Sequence, residues 1–188
     1  MNEATARGHR AIGDLRVTRP TNARVAGVTF LVYIAAGITS LALSGRPQAT
    51  AVLSVVTSFS ALVLGVTLYA ITRTEDPDLA MLALTCRVIE AIPGQPGELF
   101  FAVGSTLFAW LLLRGRMIPA ALAWLGVLAS ALLVAVLLLQ RAGPSGGAVS
   151  WASSMTWLVW FPMLVFEVTL ALWLIFKGIA GPPQGQAI

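Results

Sequence analysis

Apolar residues run along the chain in six blocks, separated by short clusters of charge, proline and glycine. Four of them, residues 25–44, 51–72, 117–140 and 152–176, meet the length of about 20 residues that a helix needs to cross a hydrocarbon core. Two others, 78–92 and 98–113, are shorter; fifteen or so residues rise only about 22 Å against a core of roughly 30 Å. The pattern predicts an all-α, polytopic membrane helix bundle with six transmembrane helices over those ranges, helices 3 and 4 being short. Full crossing, helped by interfacial residues and local thinning, and a re-entrant hairpin that leaves on its side of entry both fit the short pair. The separators support the division. Gly45-Arg46-Pro47-Gln48 and Pro93-Gly-Gln-Pro-Gly97 break helices, Asp76 or Asp78 can cap the third, and 141–150 is a Gly/Ser/Pro loop.

Charge then orients the bundle. With the N-terminus in the cytoplasm, the inner side receives Arg7, Arg10, Arg16, Arg19, Arg24, Arg73, Arg114, Arg116 and Lys177, and the outer side only Arg46 and Arg141. Nine against two favours both ends inside. The chain divides into a polar, basic cytoplasmic arm at 1–24, a membrane helical domain at 25–178 and a flexible cytoplasmic tail at 179–188. A cleaved secretory signal is the competing reading of the start. The first apolar run exceeds the roughly 7–15 residues of a signal core and no small-x-small site follows it, so a retained helix fits better. The expected location is the inner (plasma) membrane, multi-pass.

Composition agrees: 57% of the residues are hydrophobic and 11% charged, against about 25% charged in soluble domains. The net charge of +4 gathers at segment ends, which fits membrane topology and not nucleic-acid binding. One cysteine, Cys86, and one histidine, His9, supply no internal disulfide and none of the usual zinc or haem ligand sets. No nucleophile motif or phosphate loop stands out, and no cofactor is implied.

The chemistry that remains is ionic and lies inside the apolar blocks. Arg87 and Glu90 interrupt the third, and Glu167 the sixth. Charges at bilayer depth are costly and generally face a bundle interior or a wet cavity. Arg87 lies nine residues beyond Asp78 and Glu167 ten before Lys177, so both sit about 14–15 Å from the cytoplasmic boundary. This predicts an Arg87–Glu167 pair if helices 3 and 6 are neighbours, with Glu90, three residues on, as second partner. Such a cluster can act as a structural clamp that selects one helix arrangement. Alternatively, two carboxylates against one arginine leave a site for a proton, a cation, a small solute or a lipid headgroup, with Glu90 as the group that titrates. Pro162, five residues before Glu167, is a hinge candidate. Trp151, Trp157 and Trp160 near one end, and Trp110, Trp124 and Trp173 near the other, read as an aromatic belt.

Several short stretches together resemble a known family. Arg24-Val-Ala-Gly27 opens the first helix, Leu68-Tyr69 with Thr72-Arg73 closes the second, and Leu79-Ala80 leads to Arg87-Val-Ile-Glu90. Arg114-Gly-Arg116-Met-Ile-Pro119 with Leu125-Gly126, and Phe166-Glu167 followed by Trp173-Leu-Ile-Phe-Lys177-Gly178, complete the set. In order and spacing over most of 24–178 they resemble the bacterial membrane proteins grouped as domain of unknown function 4386. The resemblance implies that Arg87, Glu90 and Glu167 occupy the family's polar positions. It implies no activity, and the connection at Pro93–Gly97 is shorter than the family's.

The expectation is an integral membrane protein, not an enzyme, whose charge cluster fixes helix packing in a scaffold, accessory or sensor role. The alternative is a small proton- or ion-coupled transporter that binds solute at Arg87, Glu90 and Glu167. An intramembrane enzyme using Glu90 or Glu167 as acid or base lacks a nucleophile or metal. Expected partners are the bilayer, with a solute, a proton or a headgroup, and another membrane protein or a further copy of the chain; nucleic acid is not among them.

Overall fold

The computed structural model describes residues 19–142 and 154–179. Within them the chain forms α1 (Arg19–Ala42), α2 (Pro47–Thr72), α3 (Pro77–Glu90), α4 (Gly97–Arg114), α5 (Ala120–Ala142) and α6 (Ser154–Phe176), and no strand. Five of the six are long and apolar enough to cross a membrane; α3, at 14 residues, is not. Helix α4, expected to be short at 98–113, reaches 18 residues by starting at Gly97 and taking in Arg114. Residues 1–18 of the basic arm, residues 143–153 between α5 and α6 with Trp151 among them, and residues 180–188 of the tail lie outside the described residues.

Helix α1 is already formed at Arg19, six residues before the apolar run and inside the segment expected to be a polar arm. The guanidinium of Arg19 ties this part of α1 to α2. It donates to the backbone carbonyl of Ile71 at 3.0 Å and to the Thr74 hydroxyl, placing a cation on the C-terminal end of α2, where the helix dipole favours it. Asp76 caps α3 by accepting from the Leu79 amide at 3.1 Å, and its other oxygen takes Arg114 at 3.4 Å, tying the end of α4 to the start of α3.

The helices close into a ring. Each packs on its neighbours in sequence, α6 packs back on α1, and α2 touches α4 lightly across the interior. Helices α3 and α6 therefore stand on opposite sides of the ring, and their backbones do not approach one another. Small residues set the close approaches, as expected where lipid gives no hydrophobic push between helices. A Cβ on Gly27 would lie 2.7 Å from the Ala171 carbonyl oxygen, so α1 and α6 meet almost backbone to backbone. At the α5–α6 seam the Phe166 ring lies over Gly126. The outward faces are apolar, with Val52, Phe59, Leu139, Leu158 and Phe176 all exposed, the inverse of a water-soluble surface. Gly27→Ala forces α1 from α6 at a backbone carbonyl that cannot swing away. The expected loss is about 1–3 kcal/mol, read as a lower thermal midpoint in detergent with the helical circular dichroism of the native state retained.

Candidate functional site

Arg87 enters the ring interior because two glycines make room for it. A Cβ on Gly65 of α2 would come 2.9 Å from the Cβ of Arg87, and one on Gly104 of α4 would come 3.1 Å from that of Cys86. With α3 seated between two such surfaces, the Arg87 side chain is 1% exposed. A buried guanidinium needs its donors matched, and two of its three nitrogens donate to side chains. Its Nη1 donates to Glu90 Oε2 at 3.0 Å, across one helical turn. Its Nη2 donates to the Ser105 hydroxyl at 3.1 Å. The guanidinium carbon lies 4.9 Å from the centroid of the Phe101 ring, within cation–π range, and 6.0 Å from that of Tyr33. Only Nε has no partner. The remaining oxygen of Glu90, Oε1, accepts from the Tyr33 hydroxyl at 2.7 Å. One network thus ties α1, α3 and α4 together.

The expected Arg87–Glu167 pair does not form. Arg87 takes Glu90 instead, because Glu90 sits one turn along the same helix while α6 lies across the ring. Glu167 does point inward and is 4% exposed, near enough to interact electrostatically with Arg87 without bonding to it. Its Oε1 has no hydrogen-bond partner. The space between is a cavity of about 540 Å³ that Glu90 and Glu167 both line. It extends past Tyr33, Ser58 and Trp160 to the α3–α4 turn at Pro93–Gln95. The short α3 accounts for its position. Fourteen residues rise about 21 Å, some two turns less than a full crossing, and the cavity lies over the C-terminal end where those turns are missing.

Aromatic rings form part of the wall. Phe101 stacks on Tyr33 (centroids 6.1 Å apart, planes at 7°) and on Trp160 (5.6 Å, 19°). Trp160 thus turns inward and leaves the expected belt, while Trp110, Trp124 and Trp157 keep large exposed surfaces. The hinge candidate Pro162 lies inside α6 between the cavity residues Phe161 and Met163, where its missing N–H leaves the Leu158 carbonyl without the usual donor. Glu98, in the first turn of α4, also lines the cavity.

Residues 95–178 match the family model described as Domain of unknown function (DUF4386). It is the family that the sequence resembles. The DUF4386 match takes in α4, α5 and α6 with Phe101, Ser105, Trp160 and Glu167, whereas Tyr33, Arg87 and Glu90 precede it. No curated protein and no solved structure matches the chain. Within the DUF4386 segment, sequence reasoning singled out Glu167 but passed over Ser105 and Phe101, and placed Trp160 in the belt. Ser105 carried one signal, a hydroxyl next to Gly104 deep in an apolar helix. Phe101 carried none. Tyr33, outside the segment, carried a phenol in the middle of the first apolar run.

Tyr33→Phe removes a hydrogen bond to a carboxylate and leaves the packing in place. The expected loss is about 1.5–3 kcal/mol, measured as a fall in thermal midpoint, with the near-ultraviolet spectrum otherwise native.

Proposed function

We propose that the protein is a non-enzymatic, multi-pass protein of the plasma (inner) membrane that binds a small solute in a cavity open to one face. The orientation is six crossings with both ends in the cytoplasm, as the Lys/Arg distribution favours, and the cavity then opens to the exterior. The observation that carries the reading is the continuous cavity from the Pro93–Gln95 turn down to Glu90 and the unpartnered Glu167. A concave, mainly apolar space with a few converging polar groups is the usual form of a small-molecule site. The turn lines the cavity together with Leu41, in the last turn of α1, which supports a hairpin that crosses and does not re-enter. In this reading the Arg87–Glu90–Tyr33–Ser105 network holds three helices in place, and Pro162 lets the end of α6 beside the cavity yield as solute enters.

The test is access. In a background with Cys86 replaced by alanine, Ser58→Cys is expected to react in intact cells with a membrane-impermeant maleimide. Ala109→Cys, at a buried position away from the cavity, is expected to stay unlabelled. No reaction at position 58 in cells, with reaction in detergent-opened protein, would contradict an exterior opening.

A further inference from the structure

The charge inside the cavity is one-sided. Glu90, Glu98 and Glu167 line it, and no lysine, arginine or histidine does among the described residues. Arg87, the nearest cation, lies behind Glu90 and is already committed to Glu90 and Ser105. Glu167 therefore faces the cavity with a buried oxygen, Oε1, that accepts from nothing in the protein. A buried acceptor without a donor is costly, and an uncompensated carboxylate more so. Tyr33, Phe101 and Trp160 line the same cavity, and aromatic faces attract cations.

We infer that the ligand is an organic amine in its protonated form, with an apolar or aryl body, whose N–H donates to Glu167 Oε1. The inference rests on the solute-binding reading above and names the class of solute. A bare metal ion fits less well. The described residues hold no group of three or more Asp, Glu, His or Cys side chains close enough to ligate one, and about 540 Å³ is room for a molecule of drug size. A quaternary ammonium would meet the aromatic wall but bring no N–H to the unsatisfied oxygen. A carboxylate ligand would meet three acidic side chains and no cation to pair with.

The experiment compares three probes of nearly the same shape by titration calorimetry against the full chain in lipid nanodiscs, with empty discs subtracted. The probes are 2-phenylethylammonium, 2-phenylethanol and 3-phenylpropionate. The ammonium is expected to bind about tenfold or more tighter than the alcohol, through its charge-assisted hydrogen bond, and the carboxylate not at all. Glu167→Gln, which takes no hydrogen-bond partner from the buried Oε1, is expected to bring ammonium and alcohol to within about twofold of each other. Equal binding of alcohol and ammonium by the unmodified protein overturns the inference and leaves the cavity standing as a neutral-solute site. Preference for the carboxylate overturns it as well. If no probe binds, the inference fails, and labelling at position 58 decides separately whether the cavity reading fails with it. The comparison of probes on the unmodified protein stands without the variant.

Discussion

Glu90→Leu is expected to destabilise the protein by about 3–5 kcal/mol, near the top of that range, because it strands a charged guanidinium. Arg87 is 1% exposed and has no route to water of its own, since Glu90 stands between it and the cavity. Ser105 and the Phe101 face remain as partners, but neither carries a neutralising charge. The Tyr33 hydroxyl loses its acceptor in the same step. Chemical or thermal unfolding in detergent, followed by far-ultraviolet circular dichroism, reads the loss. At the lower edge of stability it appears as absent folded protein after extraction.

Arg87→Met carries the second large effect, also about 3–5 kcal/mol but toward the lower end. The asymmetry has a physical cause. The carboxylate left behind, Glu90, keeps its bond from Tyr33 and lines the cavity, so water can reach it. The stranded charge is therefore better solvated than the guanidinium in the first variant. Methionine also fills much of the volume between Gly65 and Gly104, so little of the loss comes from a void. Glu167→Gln, in contrast, is expected to change stability by less than about 1 kcal/mol, since its buried Oε1 has no hydrogen-bond partner to lose. The same unfolding measurement, run on the three variants together, gives the predicted order: Glu90→Leu worst, Arg87→Met next, Glu167→Gln close to the parent.

What could be read from the sequence and what could not divide along a clear physical line. Position along the membrane normal follows from counting residues in a helix, so Arg87, Glu90 and Glu167 were all assigned to the interior at similar depth. Position around the bundle does not follow from counting. Helix order in the ring puts α3 and α6 opposite each other, and that order depends on small-residue seams such as Gly27 against Ala171, which join residues far apart in sequence. Hence the inward placement of the charges was legible and their pairing was not. The contact of Arg19 shows the same limit. Arg19 lies in polar sequence, and its bond to the Ile71 carbonyl, 52 residues away, cannot be read from that sequence. Trp160 could not be told from Trp157 by type or neighbourhood; what separates them is the Phe101 ring that α4 brings alongside one of them. The shortness of α3, by contrast, was visible in the spacing of Asp78 and Pro93 and is what leaves room for the cavity.

The claim on which the account turns is that Arg87 is neutralised by Glu90, leaving Glu167 across the cavity for something else. Two double variants put it to a direct test, because removing both members of a buried pair relieves most of the cost of removing one. The measurement is the coupling energy of unfolding between Arg87→Met and Glu90→Leu beside that between Arg87→Met and Glu167→Leu, each from the double variant and both of its single variants. Neutralisation of Arg87 by Glu90 predicts that the first pair couples by more than half of the Arg87→Met loss and the second by little. Coupling in the second pair and not in the first would mean that Arg87 belongs to Glu167, and would contradict it.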